Sequence, residues 1–467
     1  MNRSLLLLLP ALAMLSGCIR PHYQRPELPV PPAFRGQSPE QPEPPGAGLG
    51  ELRWQDLVRD EVLEGLILEA LENNYDVRIA AARVLEAGAR AVAARSEQLP
   101  TIDAQAAYSN VRTARNGSTP LPDGYPAQRD FTRLFSSLTW SLDFWGRFRN
   151  AAAAARAELL ATEEAHRAVR QTLVGQVAQA YFLLRSLDLE KEITERSLRS
   201  REESLELVRL RVEHGYSSEI DMRQAEALVK SARARRVELE QGIEQLENLI
   251  SYLLGRPPGE IPRGRFLLEQ DLTPELPPGL PSSLLQNRPD IREAEQRLIA
   301  SHAQVAVARA AYFPAISLTG LGGFESAPLR AILNTSNGTW LAAPAVSVPL
   351  FNAERVRAGV RAAEALREQA RLNYQRTVIQ AFREVADALA ARRKLTELRQ
   401  EQEGLVESLR QAVELAGLRY QGGVASYLEY LDSERESFDA QLRLVQARLE
   451  ELNSVIALYL ALGGGWQ

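Results

Sequence analysis

Apolar positions along this chain recur in two rhythms, and the order of the rhythms repeats once. From about 57 to 98 they return every three or four residues, the period of a helix with one buried face. Pro100 ends that run, because proline has no N–H and clashes with the preceding turn. The period then drops to two. Ile102, Ala104, Ala106 and Tyr108 alternate with Asp103, Gln105 and Ser109, which predicts a strand over about 100–110. A Gly/Pro/Asn-rich loop covers 113–128. A second strand is expected over about 131–144, with Leu134, Leu138, Trp140, Leu142 and Phe144 on one face. A helical pattern without proline follows from near Gly146 to Gly215, and another runs to Gly255. The same order returns downstream. A helix is expected at 281–312, closed by Pro314. Strands are expected at about 314–324 and 340–350, joined by a loop at 325–338. In the first, Ile316 and Leu318 alternate with Ser317 and Thr319. In the second, Trp340, Ala342, Val346 and Val348 share a face. A long helix then runs from near Asn352 to Gly423, and a last one to Gly463.

The recurrence is a duplication visible residue by residue. A shift of 214 superposes Asp76 on Asp290, Arg78 on Arg292, Arg95 on Arg309, Pro100 on Pro314 and Ile102 on Ile316. A shift of 208 superposes Val177 on Val385, Leu210 on Leu418, Arg211 on Arg419, Gly215 on Gly423, Ser218 on Ser426 and Gly255 on Gly463. The two shifts differ by 214 − 208 = 6, so the first half holds six extra residues between Ile102 and Val177, where a longer loop is expected. The expected domains are a first repeat over 57–255, a Pro-rich linker over 256–280, a second repeat over 281–463 and a tail over 464–467.

Each long helical run holds about 70 residues, about 100 Å at 1.5 Å per residue. No globular core accommodates such a helix, and patterns of this length imply coiled coil or a helical repeat. Leu398, Gln402, Leu405, Leu409, Ala412 and Ala416 step as a heptad seam. The run Ala151–Ala155 lets helices approach closely. Four strands of about ten residues, polar on one face and apolar on the other, fit membrane β-strands. Trp140, Trp145 and Trp340 fit an interfacial aromatic belt. Four strands cannot close a barrel, and an open edge is not tolerated in lipid. The barrel is therefore expected to be shared, with two copies giving eight strands and a filled interior or three giving twelve and a lumen. A soluble sheet on a periplasmic coiled-coil protein remains the other reading of the same pattern.

The N-terminus carries an address. Arg3 precedes an apolar run, Leu5 to Leu15, too short to span a bilayer and suited to a signal peptide over 1–17. The run ends Leu15-Ser16-Gly17-Cys18, which resembles a bacterial lipobox, and Cys18 is the sole cysteine. That resemblance implies cleavage before Cys18 and its acylation. Ile19, where an aspartate would retain the protein in the inner membrane, implies the outer membrane. Each acyl chain contributes roughly 0.8 kcal/mol per buried CH2. Residues 18–56 are read as a lipidated tether.

Composition removes other classes. A net charge of −5 with interspersed signs offers no basic surface for nucleic acid. His22, His166, His214 and His302 are far apart in sequence and show no metal-ligand spacing. There is no GxSxG, HExxH, P-loop or CxxC, and Gly320-Leu321-Gly322-Gly323 lacks the third glycine of a dinucleotide fingerprint. No enzyme, cofactor or metal is expected.

The segment Arg419-Tyr-Gln-Gly-Gly-Val-Ala-Ser-Tyr-Leu-Glu-Tyr-Leu-Asp432-Ser-Glu434 and the ending Ala461-Leu-Gly-Gly-Gly-Trp466 resemble the TolC-type outer membrane factors. The lipobox narrows the resemblance to the lipoprotein (NodT-type) branch paired with RND efflux pumps, and it covers the mature chain. It implies a mainly α fold with membrane β. It also implies that three chains, each carrying the helix–strand–strand–long helix–helix half-unit twice, form a 12-stranded β-barrel continuous with a 12-helix periplasmic α-barrel. The residues 256–280, 51–60 and 464–467 are candidates for an equatorial girdle. The implied function is the outer-membrane exit channel of a tripartite pump, passing drugs and small molecules. The implied partners are two further copies, a periplasmic membrane-fusion adaptor, an inner-membrane RND pump and outer-membrane lipid. A duct for type I protein secretion, or a coiled-coil lipoprotein scaffold, are the competing readings.

The resemblance also assigns residues. Gly215 and Gly423 mark the helical corners at the closed end of the duct, since glycine takes the φ > 0 backbone that tight corners need. Glu429 and Asp432 match pore-constricting acidic rings, which select cations. Read without the family, solvated carboxylates on a helix surface are the favoured reading of both. Tyr420 matches a tyrosine that holds neighbouring helices in the closed state. Ala425 departs from the charged gate residue of many members, so Ser218 and Asp221 are expected to supply polar gate contacts instead. Gly215, Gly423, Val424 and Tyr427 are expected to dock the adaptor.

Overall fold

The computed structural model describes residues 23–28, 31, 34, 35, 49, 52–272 and 283–466. Cys18, the signal region and the linker segment 273–280 lie outside the described residues. The first half comprises α1 (Trp54–Leu57), α2 (Glu61–Asn73), α3 (Tyr75–Ser96), β1 (Thr101–Arg112), β2 (Gln128–Leu142), α4 (Arg147–Glu213) and α5 (Glu219–Leu253). The second comprises α6 (Leu284–Asn287), α7 (Pro289–Ala310), β3 (Ala315–Ser326), β4 (Gly338–Ser347), α8 (Arg355–Gln421) and α9 (Tyr427–Ala461).

The first helix expected in each half is divided. Asp60 leaves the helical backbone and accepts from the N–H groups of Val62 (2.9 Å) and Leu63 (3.4 Å), capping α2. Asn74 does the same for α3, accepting from Asp76 N (2.8 Å) and Val77 N (3.3 Å). In the second half Pro289 opens α7, where its missing N–H is harmless. Apolar spacing continues across such caps, which is why the pattern alone shows one helix.

The strands form one antiparallel sheet in the order β1-β2-β3-β4. β2 begins at Gln128, ahead of its apolar stretch, because Asn110 and Asp130 bond at 2.5 Å and carry the ladder to Arg112↔Gln128. β4 stops at Ser347, two residues before Pro349. Within β4, Pro344 removes one donor from whichever ladder its nitrogen faces. The six extra residues are not one loop. Loop 113–127 is four residues longer than 327–337, β2 is five longer than β4, and the connector to the long helix is three shorter. Among the described residues, the outer edges of β1 and β4 have no partner.

Two compact units share the chain. The one holding the sheet contains 84–161 and 294–374. Here Trp140 donates to Gln98 O (3.0 Å) and Trp145 to Pro314 O (2.7 Å), where strands meet helices. Trp340 lies toward the other end of its strand, exposed. Tether residues belong to this unit too. Arg25 grips Glu295 with two bonds (2.7 and 2.5 Å), and Tyr23 donates to the same carboxylate (3.0 Å).

The other unit has the larger apolar core. Trp54, Leu57, Leu63 and Ile67 pack with Tyr181, Phe182, Ile250, Leu254, Tyr459 and Leu462. Ile261, Leu267 and Leu272 join them from the linker, and Val58 bridges to Leu272. Asp60 is buried at the centre of this unit's polar network. Its carboxylate accepts from Tyr181 (3.0 Å), Arg265 N (2.9 Å) and Gln270 (2.7 Å). Burial pushes the Asp60 carboxyl up, but the bonds from Gln270, Arg265, Tyr181 and Leu63 outweigh it and hold the pKa below the usual 3.8. The halves meet themselves alike: Asn74 donates to Leu253 O and its repeat equivalent Arg288 to Ala461 O, both at 2.9 Å. No helix among the described residues is long and apolar enough to cross a membrane.

Candidate functional site at the helical corners

The two long hairpins, α4–α5 and α8–α9, turn on the same backbone device. Gly215 and Gly423 take φ of 76° and 71°. The next residue's N–H reaches back to the carbonyl five residues earlier, Tyr216 to Arg211 (2.7 Å) and Val424 to Arg419 (3.0 Å). This is the Schellman closure, which satisfies carbonyls the helix end would leave bare. Serine then restarts the chain: Ser218 caps α5 by accepting from Asp221 N, and Ser426 caps α9 by accepting from Glu429 N.

Above the corner of α8 and α9 lies a group of three tyrosines. Tyr420 stacks on Tyr430 (6.0 Å between centroids, 7° between planes) and packs against Tyr427 at 5.4 Å. The Arg211 guanidinium from α4 covers the Tyr420 ring at 4.5 Å. Tyr430 donates to Glu434 (2.7 Å), which also receives Ser200 from α4 (2.9 Å). Ser204 meets the Tyr427 hydroxyl at 3.4 Å. Burial raises the pKa of both Tyr427 and Tyr430, so each stays protonated at neutral pH. Leu205, Val208, Val212, Met222 and Ala225 supply the apolar bed beneath the rings. Side chains of α4, α8 and α9 are thereby held in one packed layer.

The predicted residues fall into three groups. Tyr420 is buried between helices. Glu429 and Asp432 are exposed, and each has a cation: Arg419 Nε lies 3.0 Å from Glu429, and Arg435 3.2 Å from Asp432. Two expectations need correction. Ser218 and Asp221 make no side-chain bond to another helix among the described residues. Asp221 accepts from Ser218 N (3.0 Å), Ser218 Oγ (2.8 Å) and Ser217 Oγ (2.8 Å), a closed capping box. Burial pushes the Asp221 carboxyl up, and these bonds prevail to lower it. Tyr427 is only 5% exposed, so no partner helix reaches it; its ring belongs to the buried stack. Val424, by contrast, is 72% exposed.

Sequence reasoning missed the rest of the exposed apolar surface. Tyr216 is 84% exposed, and Ile220 and Leu428 are also open. The 208-residue shift carries the signal: Tyr216 is the equivalent of Val424, and Ile220 of Leu428. Both corners thus show solvent the same pair of apolar positions. Arg211 and Tyr430 were missed because a ring contact between helices leaves no mark on periodicity.

The chain thus combines a four-stranded sheet whose outer edges lack partners among the described residues, two 67-residue helices and a pair of equivalent corners. The outer membrane efflux protein family model matches residues 66–256 and 280–464, one stretch in each half. The chain is 38% identical over 470 residues to the solvent efflux pump outer membrane protein SrpC of Pseudomonas putida, covering 98% of this chain and 97% of that one. It is 36% identical over 459 residues to the cation efflux system protein CusC of Escherichia coli O6:H1, with 97% of each covered. Among solved structures, the open state of the Neisseria gonorrhoeae MtrE outer membrane channel superposes with a TM-score of 0.87 at 31% identity, over 96% of this chain and 99% of that one. A structure of CusC gives 0.85 at 34% identity, over 96% and 100%. The chain belongs to the outer membrane efflux protein family and is an efflux channel of the outer membrane.

Proposed function

We propose that the chain works as a homotrimer, the exit duct of a tripartite efflux pump that passes drugs and other small molecules from the periplasm to the exterior. The observation that carries this reading is the sheet. Four strands with two open edges cannot stand in lipid alone, and three copies give twelve strands and a lumen. A periplasmic adaptor docks at the corners through Gly215, Gly423, Val424 and the exposed Tyr216, Ile220 and Leu428. An inner-membrane RND pump supplies the energy. Cys18, acylated, anchors the tether in the outer membrane. Tyr420 holds the inner hairpin in the closed state, and copies of Glu429 and Asp432 line the narrow end as rings of negative charge.

Single-particle electron microscopy of the detergent-extracted protein tests the assembly. A threefold hollow cylinder over about 100 Å long is expected from the helix lengths; a monomer or a solid rod rejects the shared barrel. Asp432→Asn is expected to lower the preference for cations in planar-bilayer conductance, and unchanged selectivity removes that assignment.

A further inference from the structure

The antiparallel register gathers four strand ends at one end of the sheet. β1 begins there at Thr101, β2 ends at Leu142, β3 begins at Ala315 and β4 ends at Ser347. Each of the four joins a helix at that end. Aromatic side chains band it. Trp145, whose N–H is bonded to Pro314 O, stacks on Phe313 (4.8 Å between centroids, 22° between planes). Phe144 and Tyr312 stand exposed beside them, and Phe351 is 90% exposed past the end of β4. Rings of this kind collect where the hydrocarbon of a bilayer gives way to water. The band therefore marks the level at which the membrane strands leave the lipid.

Arginine follows the aromatics on all four helices. Arg95 and Arg309 lie in the last turns of α3 and α7, and Arg147, Arg149, Arg355 and Arg357 in the first turns of α4 and α8. The 214 shift carries Arg95 onto Arg309, and the 208 shift carries Arg147 onto Arg355 and Arg149 onto Arg357. All six are exposed. Arg95 and Arg309 each stand five residues before the proline that precedes a strand, about 7.5 Å at the helical rise. One headgroup layer is about as thick, half the difference between a hydrocarbon core of roughly 30 Å and a whole bilayer of roughly 40–45 Å. The charge does not serve α4 and α8. Cations oppose the macrodipole at a helix N-terminus, yet both first turns hold two arginines and no acid. Arg149, Arg309 and Arg357 pair with Asp143, Glu364 and Glu354. Arg95, Arg147 and Arg355 have no carboxylate partner among the described residues. Over 95–100, 143–149, 309–314 and 350–357, six arginines stand against three acids, Glu97, Asp143 and Glu354, a net of +3 in a chain of net charge −5.

We infer that these six arginines form a collar that binds the phosphates of anionic phospholipids where the strands leave the bilayer. Guanidinium suits that ligand, since its planar fork donates two parallel hydrogen bonds to a phosphate. Each basic side chain near an anionic leaflet adds roughly a fivefold preference for it. Arg95, Arg147 and Arg355 meet no carboxylate of their own chain that would compete. Two observations select a lipid surface as the partner: the collar continues directly from the membrane sheet, and it is positive in an acidic chain. The phosphate is assigned to phospholipid and not to lipopolysaccharide because these strand ends carry the helices. The proposed function places the helices in the periplasm, and the inference rests on that reading for its choice of leaflet.

Native mass spectrometry of the full chain, taken from the outer membrane in a neutral detergent, tests the collar. Phosphatidylglycerol, phosphatidylcholine and lipid A are titrated in turn. The unsubstituted protein is expected to hold phosphatidylglycerol at least about fivefold more tightly than phosphatidylcholine. Arg147→Gln with Arg355→Gln leaves no carboxylate without its partner, and should lower that preference at least about fivefold. Arg209→Gln with Arg383→Gln makes the same change of charge at exposed positions farther along α4 and α8, and should leave the preference unaltered. Equal retention of phosphatidylglycerol and phosphatidylcholine by the unsubstituted protein overturns the collar, whether or not a variant folds. So does an equal loss in both double variants, since net charge alone would then attract the lipid. If the first pair of substitutions weakens lipid A and not phosphatidylglycerol, the phospholipid assignment falls. If that pair breaks the assembly before any lipid is added, the arginines serve a contact between copies and the collar falls. A monomeric unsubstituted protein that still prefers phosphatidylglycerol overturns the shared barrel and leaves the collar standing.

Discussion

The two hairpin corners share a backbone and differ in what they do with charge. Each turns on a glycine in the left-handed region, closes on the carbonyl five residues back and restarts on a serine cap. The third residue after that serine is Asp221 in one half and Glu429 in the other. Asp221 folds back onto Ser218 N and spends its carboxylate inside the corner. Glu429, one methylene longer, reaches Arg419 on the preceding helix instead. The equivalent arginine of the first half, Arg211, has no acid at that distance among the described residues and covers the ring of Tyr420. The tyrosines complete the divergence, since Val212, Glu219 and Met222 hold the positions of Tyr420, Tyr427 and Tyr430. Duplication thus preserved the residues that fix φ and the caps. It left free the side chains that decide which corner packs and which presents charge.

The sharpest break between the halves is Asp60, whose position in the second half is Pro274. Asp60→Ala leaves a tyrosine hydroxyl, a backbone N–H and an amide without their acceptor, and is expected to destabilise by about 3 kcal/mol, read as a lower denaturant midpoint at constant slope. pH sharpens the point. The Asp60 pKa is lowered on folding, so its stabilisation is full above the unfolded value and is lost as pH falls through the folded one. Stability attributable to it should be flat from about pH 5 to 8 and decline below about pH 4, a decline that Asp60→Asn should lack. An identical acid profile in the variant refutes the role.

A smaller effect separates junction glycines from corner glycines. All four have positive φ, yet a Cβ at Gly255 would stand 2.5 Å from Asn73 O and one at Gly463 2.8 Å from the Asn287 carbonyl carbon, whereas Gly215 and Gly423 face open space. Alanine is expected to cost about 1 kcal/mol at the corners and about 2 kcal/mol or more at the junctions. Equal losses at all four sites would mean that the junction backbones give way. The smallest effect lies among the tyrosines. Tyr430→Phe forfeits the bond to Glu434 and should cost about 1 kcal/mol. Tyr420→Phe removes a buried hydroxyl with no partner among the described residues and should change stability by less than about 0.5 kcal/mol. A large loss for Tyr420→Phe in the assembled protein would place that hydroxyl against a neighbouring copy.

Much of the molecule was legible without coordinates because its signals are local or periodic. The change of period at Pro100 and Pro314, the length of the proline-free runs and the repeat itself gave the order of elements. The two shifts also anticipated the six-residue surplus, though not its division among loop, strand and connector. Caps at Asp60 and Asn74 were missed because a carboxylate or amide that ends one helix and starts the next leaves the apolar spacing intact.

The amino-acid sequence by itself determined which segments are helix or strand, where they turn and that the halves are equivalent, since these follow from covalent chemistry acting within a few residues. Only the tertiary structure decided that Tyr427 is buried and Val424 is not, that Asp221 serves its own helix while Glu429 serves another, and which faces remain without cover. The burial of Tyr427 depends on packing against α4, where Ser204 lies 223 residues away in the chain, and the choice between Asp221 and Glu429 depends on how far each carboxylate reaches; neither is visible in apolar spacing.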